Sequence, residues 1–107
     1  MNPEQELALL KNCSPAEACS YIAIKIRQIR RAEKESQERF SKRAGVPLRT
    51  YKRFEAHGHA SLETFIQVLS AVGRTQYLFL VFPQNRTVVA KPTLSERLRQ
   101  LTPTKFR

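Results

Sequence analysis

The chain has few of the residues from which catalytic and metal sites are built. It contains three glycines, two cysteines and two histidines. Three glycines leave little material for a phosphate-binding loop, and the thiols and imidazoles lack the paired spacing of a zinc site. The sequence shows no nucleophile–base arrangement and no paired acids either. We therefore expect a protein that is not an enzyme and that holds no metal or cofactor.

Acidic residues and long apolar runs are scarce as well. Nine acidic residues stand against nineteen lysines and arginines, which gives a net charge of +10. No apolar run approaches the roughly 20 residues that a membrane span needs, and no signal peptide is recognisable. At helical spacing the side chains of Cys13 and Cys19 diverge, so we expect free thiols. These features predict a cytoplasmic protein without a membrane partner.

The positive charge is concentrated between Lys25 and Arg53. This stretch has eleven basic residues and only three acidic ones. A polyanion is a natural partner, because each phosphate that a cation neutralises releases a condensed counterion. An acidic membrane surface is the alternative, but the basic residues are not segregated opposite a broad aromatic face. The charge pattern therefore favours nucleic acid.

Helix signals recur along the chain. The helix starts are marked by Asn2-Pro3, the capping box Ser14-Pro15-Ala16-Glu17, Ser36, Pro47 and Ser61. Gly45 suits a tight turn between two helices because glycine readily adopts positive φ. Apolar residues at steps of three and four predict a core. Its members are Cys19, Ile22, Ala23, Ile26, Ile29, Phe40, Ala44, Val46, Tyr51, Phe54, Leu62, Phe65, Ile66, Leu69 and Val72.

Composition divides the chain into a helical extension (1–13), a central domain (14–82) and a basic tail (83–107).

Residues 75–82 include six apolar side chains, a surface that a second copy of the chain would cover. Tyr77, Phe79 and Leu80 are then the candidate dimer residues. A fully buried helix or a strand suits this segment equally well. In the tail, residues 87–89 have β character and a capping box predicts a helix from Thr93 to Leu101.

Five short motifs follow one another in the central domain. They are Arg27-Gln28-Ile29-Arg30, Ser36-Gln37-Glu38-Arg39-Phe40, Ala44-Gly45-Val46, Thr50-Tyr51-Lys52-Arg53-Phe54-Glu55 and the segment from Ser61 to Gly73. In order and spacing they resemble the helix-turn-helix domain of lambda-type repressors, Cro proteins and xenobiotic-response-element regulators. The likeness covers about half of the chain. It implies an all-α, lambda repressor-like bundle of about five helices, with the N-terminal extension and the tail added.

The resemblance implies that double-stranded DNA is bound by two helices. Helix 47–57 would enter the major groove, and Leu48, Arg49, Lys52 and Arg53 would occupy its exposed positions. Arg49 and Arg53 are our candidates for base readout, because a guanidinium bonds the O6 and N7 of guanine together. Thr50 and Lys52 would contact phosphate or sugar. In the preceding helix, the expected DNA contacts are Gln37 at a phosphate and Arg39, Lys42 and Arg43 beside the groove.

The same likeness pairs Glu55 with an arginine of an earlier helix, and the spacing makes that partner Arg30. We expect this structural ion pair to join the two helices. Three residues depart from the family pattern. Leu48 replaces a polar base reader, so its contact would be apolar, such as a thymine methyl. Glu35 weakens a hydrophobic staple, and His57 stands where a left-handed glycine is usual.

Three functions fit these observations. The first is a dimeric regulator, most simply a repressor of its own operon, encoded by a bacterium or phage and associated with the nucleoid. The second is an antitoxin whose added tail engages a toxin protein. The third is a protein-interaction module without sequence-specific DNA binding. A preference for one duplex sequence over random DNA would separate the third from the other two.

Overall fold

The computed structural model describes residues 1–82 and Leu94, and all regular structure within residues 1–82 is helical. The helices are α1 (Pro3–Asn12), α2 (Pro15–Ala32), α3 (Gln37–Ala44), α4 (Leu48–His57) and α5 (Leu62–Ala71), followed by a 3₁₀ helix (Thr75–Val81). None of these helices is long and apolar enough to cross a membrane. The strand expected near residues 87–89 and the helix from Thr93 to Leu101 lie outside the described residues.

Side-chain caps define the helix starts. Asn2 and Ser14 each form a capping box, and the hydroxyls of Ser36 and Ser61 accept hydrogen bonds from the backbone of the first turn. These four starts agree with the sequence-based prediction. Helix α4 differs slightly, because it begins at Leu48 and Pro47 is its N-cap. Within the described residues no side chain caps α4, so the N–H groups of its first turn have no side-chain partner there.

The end of α4 corrects one expectation. We expected His57 to occupy a left-handed position, but His57 is the last helical residue and Gly58 adopts that conformation, with φ +73°. A Cβ atom at Gly58 would lie 2.7 Å from the carbonyl oxygen of Cys19 in α2. Glycine is therefore needed here for two reasons, its positive φ and the close approach of the two helices.

The core lies where α2, α3, α4 and α5 meet. Its buried residues are Ile26, Phe40, Val46, Tyr51, Phe54 and Val68. The rings of Phe40 and Tyr51 are 4.9 Å apart, and those of Tyr51 and Phe54 are 6.0 Å apart. In α5 the prediction was partly wrong, because Val68 is fully buried whereas Leu62 is 76 % exposed. Helix α5 is apolar on more than one side, so periodicity alone did not identify the side that packs.

Helix α1 lies outside this core, and none of its residues is buried. Its Glu6 carboxylate joins it to α2. The carboxylate accepts a hydrogen bond from the Tyr21 hydroxyl and forms an ion pair with Lys25, whose Nζ lies 2.6 Å away. The α1 extension is therefore attached largely by polar contacts on one side of α2.

The 3₁₀ helix excludes two of the three possibilities for residues 75–82. Tyr77, Leu80 and Val81 are 52 %, 70 % and 65 % exposed, and Phe79 and Phe82 are exposed to a similar degree. A fully buried helix and a strand are therefore both wrong for this segment. The remaining possibility, a surface covered by a second copy, stays a prediction.

Candidate nucleic-acid interface

A tight turn sets the angle between α3 and α4. Gly45 has φ +74°, and its N–H donates to the carbonyl of Lys42 at 3.2 Å. Val46 donates its N–H to the carbonyl of Ser41 at 2.9 Å, and its side chain is buried with only 4 % exposed. The turn is therefore held by backbone hydrogen bonds and by an apolar side chain in the core.

Beneath the two helices lies a buried ion pair between Arg30 of α2 and Glu55 of α4. Arg30 Nε lies 2.8 Å from Glu55 Oε2, and Arg30 Nη2 lies 2.9 Å from Oε1. The two side chains are only 9 % and 4 % exposed. Arg30 Nη1 also donates to the carbonyl of Glu35 at 2.7 Å. One guanidinium thus joins α2, the α2–α3 loop and α4, as expected for a structural ion pair.

Two further groups that the sequence analysis did not connect to Glu55 complete this network. Gln37 Nε2 donates to Oε1 at 2.9 Å, and the Tyr51 hydroxyl donates to Oε2. The contact with Tyr51 had a signal in the sequence, since side chains four residues apart on a helix are neighbours. The contact with Gln37 had no such signal, because Gln37 and Glu55 lie on different helices.

The network shifts the pKa values of its members. Burial alone would raise the pKa of Glu55, but the hydrogen bonds from Arg30, Tyr51 and Gln37 outweigh it and lower that pKa below its ordinary value. Burial, together with the hydrogen bond to the carboxylate, raises the pKa of the Tyr51 hydroxyl. Glu55 is therefore ionised and Tyr51 protonated at neutral pH.

The outer surface of α3 and α4 carries several exposed basic side chains. Within the described residues, five of these side chains are exposed and make no ion pair or side-chain hydrogen bond; they are Arg39, Lys42, Arg49, Lys52 and Arg53. The acid of α4, Glu55, is buried in the network, and Glu38 is the exposed acid of α3. The surface can therefore attract a polyanion with little internal competition.

Arg49 and Arg53 face a groove that reaches the start of α5. They line a cavity of about 450 Å³ together with Thr50, His59, Ala60, Ser61 and Thr64. The Ser61 hydroxyl accepts the Thr64 N–H at 3.1 Å and so caps α5 there. The positive end of the α5 dipole adds to the charge of the two arginines. Leu48 and Thr50 are half-buried at the beginning of α4.

Arg43 differs from its neighbours because protein groups already engage it. Its Nε and Nη2 lie 3.0 Å and 2.8 Å from the two carboxylate oxygens of Glu35, and Nη1 donates to the carbonyl of Ala71 at 2.7 Å. The hydrogen bond from Arg43 lowers the pKa of Glu35. Arg43 therefore ties the α2–α3 loop to the end of α5, and Glu35 acquires a partner that the sequence analysis did not assign to it.

The remaining candidate residues lie elsewhere. Tyr77, Phe79 and Leu80 belong to the 3₁₀ helix that follows α5, not to the basic surface. His57 and His59 have ring centroids 5.7 Å apart, and no group of three potential metal ligands converges among the described residues. The exposed apolar residues and the basic side chains of α3 and α4 thus lie on different helices. In comparisons with known proteins, no protein-family profile and no curated sequence matches this chain.

Proposed function

We propose that this protein is a sequence-specific, double-stranded DNA-binding transcription regulator of the lambda repressor-like helix-turn-helix type. Helix α4 enters the major groove, and the simplest biological role is a dimeric repressor of its own operon. The observation that carries the proposal is the set of exposed cations on α3 and α4 that form no ion pair among the described residues, above the buried Arg30–Glu55 pair that joins α2 to α4. The bacterial or phage nucleoid is the corresponding location.

Attraction of a polyanion depends on which cations lack a carboxylate partner. Arg30 and Arg43 have carboxylate partners, so a phosphate would have to compete with a protein carboxylate for them. Arg39, Lys42 and Lys52 have no such partner among the described residues, so phosphates can neutralise them without breaking a protein contact. Counterion release then favours binding to any duplex and makes affinity fall with salt.

Sequence preference requires contacts with base edges in addition. Arg49 and Arg53 lie four residues apart on α4, and both line the groove beside α5. Their guanidinium groups are suited to guanine in the major groove, whereas Lys52 and Thr50 are assigned to phosphate or sugar. Gln37, at the first position of α3, is assigned to a backbone phosphate.

Dimerisation is proposed through the 3₁₀ helix. The stretch 75–85 has no charged residue, although the chain as a whole carries a net charge of +10. Two copies repel one another over their basic surfaces, so an uncharged segment with exposed Tyr77 and Leu80 is the more favourable place for contact. A two-fold dimer would present its two α4 helices to half-sites about 34 Å apart.

Selection of bound sequences from a random duplex pool tests the proposal. We expect enrichment of a near-palindrome whose half-site centres are separated by about 10 base pairs. Arg49→Ala is expected to cost about 1–3 kcal/mol on the selected duplex and to relax the preference at one base pair. If no sequence is enriched above the starting pool, the regulator proposal is wrong and a protein-interaction module becomes the better explanation.

Two matched variants separate base reading from charge. Arg49→Lys keeps the positive charge but loses the two-pronged donor geometry, so it is expected to relax specificity while leaving the salt dependence unchanged. Lys52→Ala is expected to weaken binding to all duplexes alike and to reduce the salt slope by about one. If these two variants behave identically, Arg49 makes no base contact.

A further inference from the structure

We propose that Tyr51 is a positioning residue of the DNA-binding surface. Its buried hydroxyl acts through the Glu55 carboxylate and so fixes the orientation of the side-chain amide of Gln37 at the beginning of α3. This inference rests on the proposed function, because it concerns how one of the proposed DNA contacts is prepared before DNA arrives. Tyr51 itself is 0 % exposed, so it acts only through its neighbours.

The carboxylate of Glu55 has its accepting capacity filled. Oε1 accepts from Arg30 Nη2 and Gln37 Nε2, each at 2.9 Å, and Oε2 accepts from Arg30 Nε at 2.8 Å and from the Tyr51 hydroxyl. A carboxylate offers about four such sites, two on each oxygen. Its rotation is therefore opposed by donors at both ends.

Packing fixes the position of the Tyr51 hydroxyl. The Tyr51 ring lies between Phe40, at 4.9 Å, and Phe54, at 6.0 Å, measured between ring centroids. A ring held in this way has little freedom, so its hydroxyl approaches Oε2 from one direction only. The aromatic core thereby defines the orientation of a carboxylate whose other oxygen faces Gln37.

That orientation determines which end of the Gln37 amide faces inward. An ionised carboxylate only accepts hydrogen bonds, so the amide nitrogen and not the amide oxygen must face Glu55. The second N–H of Nε2 and the amide oxygen are left for a ligand on this half-buried residue. Because Gln37 loses its rotamer freedom when the protein folds, that freedom is not lost again on binding DNA.

Removing the Tyr51 hydroxyl tests this chain of contacts. Tyr51→Phe retains the ring and leaves the two Arg30–Glu55 hydrogen bonds in place, but Oε2 loses one of its donors. We expect affinity for the selected duplex and for a scrambled duplex to fall alike, by about 3- to 10-fold, the size of one side-chain ordering cost, because both duplexes offer Gln37 a backbone phosphate. Gln37→Ala should lose at least as much, and the double variant should lose no more than Gln37→Ala alone.

A matched control is available in the same chain. The Tyr21 hydroxyl also donates to a glutamate carboxylate, that of Glu6, but this pair joins α1 to α2 away from the basic surface. Tyr21→Phe is expected to leave affinity for both duplexes unchanged. If Tyr51→Phe binds both duplexes as tightly as Tyr21→Phe does, the positioning role is refuted while the proposed function stands. If the wild type itself shows no preference, the proposed function fails instead.

NMR of the free protein gives a second test that needs no DNA. The side-chain NH₂ of Gln37 should be as ordered as the α3 backbone, whereas that of the exposed Gln28 should be averaged by rotation. In a folded Tyr51→Phe protein the Gln37 signal should move towards the Gln28 behaviour. A Gln37 amide that is already as mobile as Gln28 in the wild type overturns the inference.

Discussion

Replacing Glu55 with glutamine removes the negative charge at the centre of the buried network while keeping its shape. The wild-type carboxylate accepts two hydrogen bonds from Arg30 and one each from Gln37 and Tyr51. The new amide can accept only through its oxygen. Whichever way that amide is turned, its NH₂ group faces one of the two Arg30 donors, so one arginine N–H loses its acceptor.

The expected cost follows from these contacts. A buried donor left without an acceptor costs about 1–3 kcal/mol. Removing one partner of a buried ion pair also leaves the charge of the other uncompensated, which brings the total to about 3–5 kcal/mol. Because Arg30 is only 9 % exposed at its side chain, water compensates little of this loss. The loss is a large part of the roughly 5–15 kcal/mol that stabilises a small protein.

The same chemical change at Glu35 provides the control. Glu35 also pairs with an arginine through both carboxylate oxygens, but the Arg43 side chain is 47 % exposed. Glu35→Gln is therefore expected to reduce stability by no more than about 1 kcal/mol. Urea unfolding followed by circular dichroism measures both variants against the wild type. If Glu55→Gln is no more destabilising than Glu35→Gln, the network does not brace α2 against α4.

Two further predictions concern backbone geometry and pH. Gly58→Ala and Gly73→Ala both place a Cβ on a residue with φ above +70°, but only at Gly58 does the new atom meet another group, the Cys19 carbonyl at 2.7 Å. Thermal unfolding should show a loss of about 1–2 kcal/mol for Gly73→Ala and clearly more for Gly58→Ala; equal losses would contradict the close approach of α4 to α2. Glu55 has a pKa lowered from 4.5 on folding, so its stabilisation is complete above that value and is lost as the pH falls through the folded pKa. The stability difference between wild type and Glu55→Gln should therefore shrink on acidification, and a constant difference between pH 7 and pH 2 would contradict the assignment.

The helix starts and most of the core were predictable from local sequence. An N-cap side chain bonds a backbone group three residues away, so Ser14, Ser36 and Ser61 identify helix starts without knowledge of the fold. Periodicity placed Ile26, Phe40, Tyr51 and Phe54 correctly in the core. It did not distinguish Leu62 from Val68, since the side of an apolar helix that packs depends on its neighbours.

The basic character of the candidate interface was likewise visible in the sequence, because charge is a property of each residue. Which of those charges remain free was not visible. Arg39 and Arg43 lie on the same short helix, yet Arg43 reaches Glu35 and the Ala71 carbonyl, while Arg39 makes no side-chain hydrogen bond in the part of the chain that the structure describes. A family resemblance suggested the Arg30–Glu55 pair, but not the Gln37 and Tyr51 hydrogen bonds that fill the carboxylate.

The sequence by itself thus determined the helices, their caps and the excess of positive charge, since each depends on residues within a few positions of one another. The tertiary structure alone decided that Gly58 and not His57 takes the left-handed position, and which cations keep their charge exposed. Those outcomes depend on distances between helices that are far apart in the chain, and local patterns contain no information about such distances.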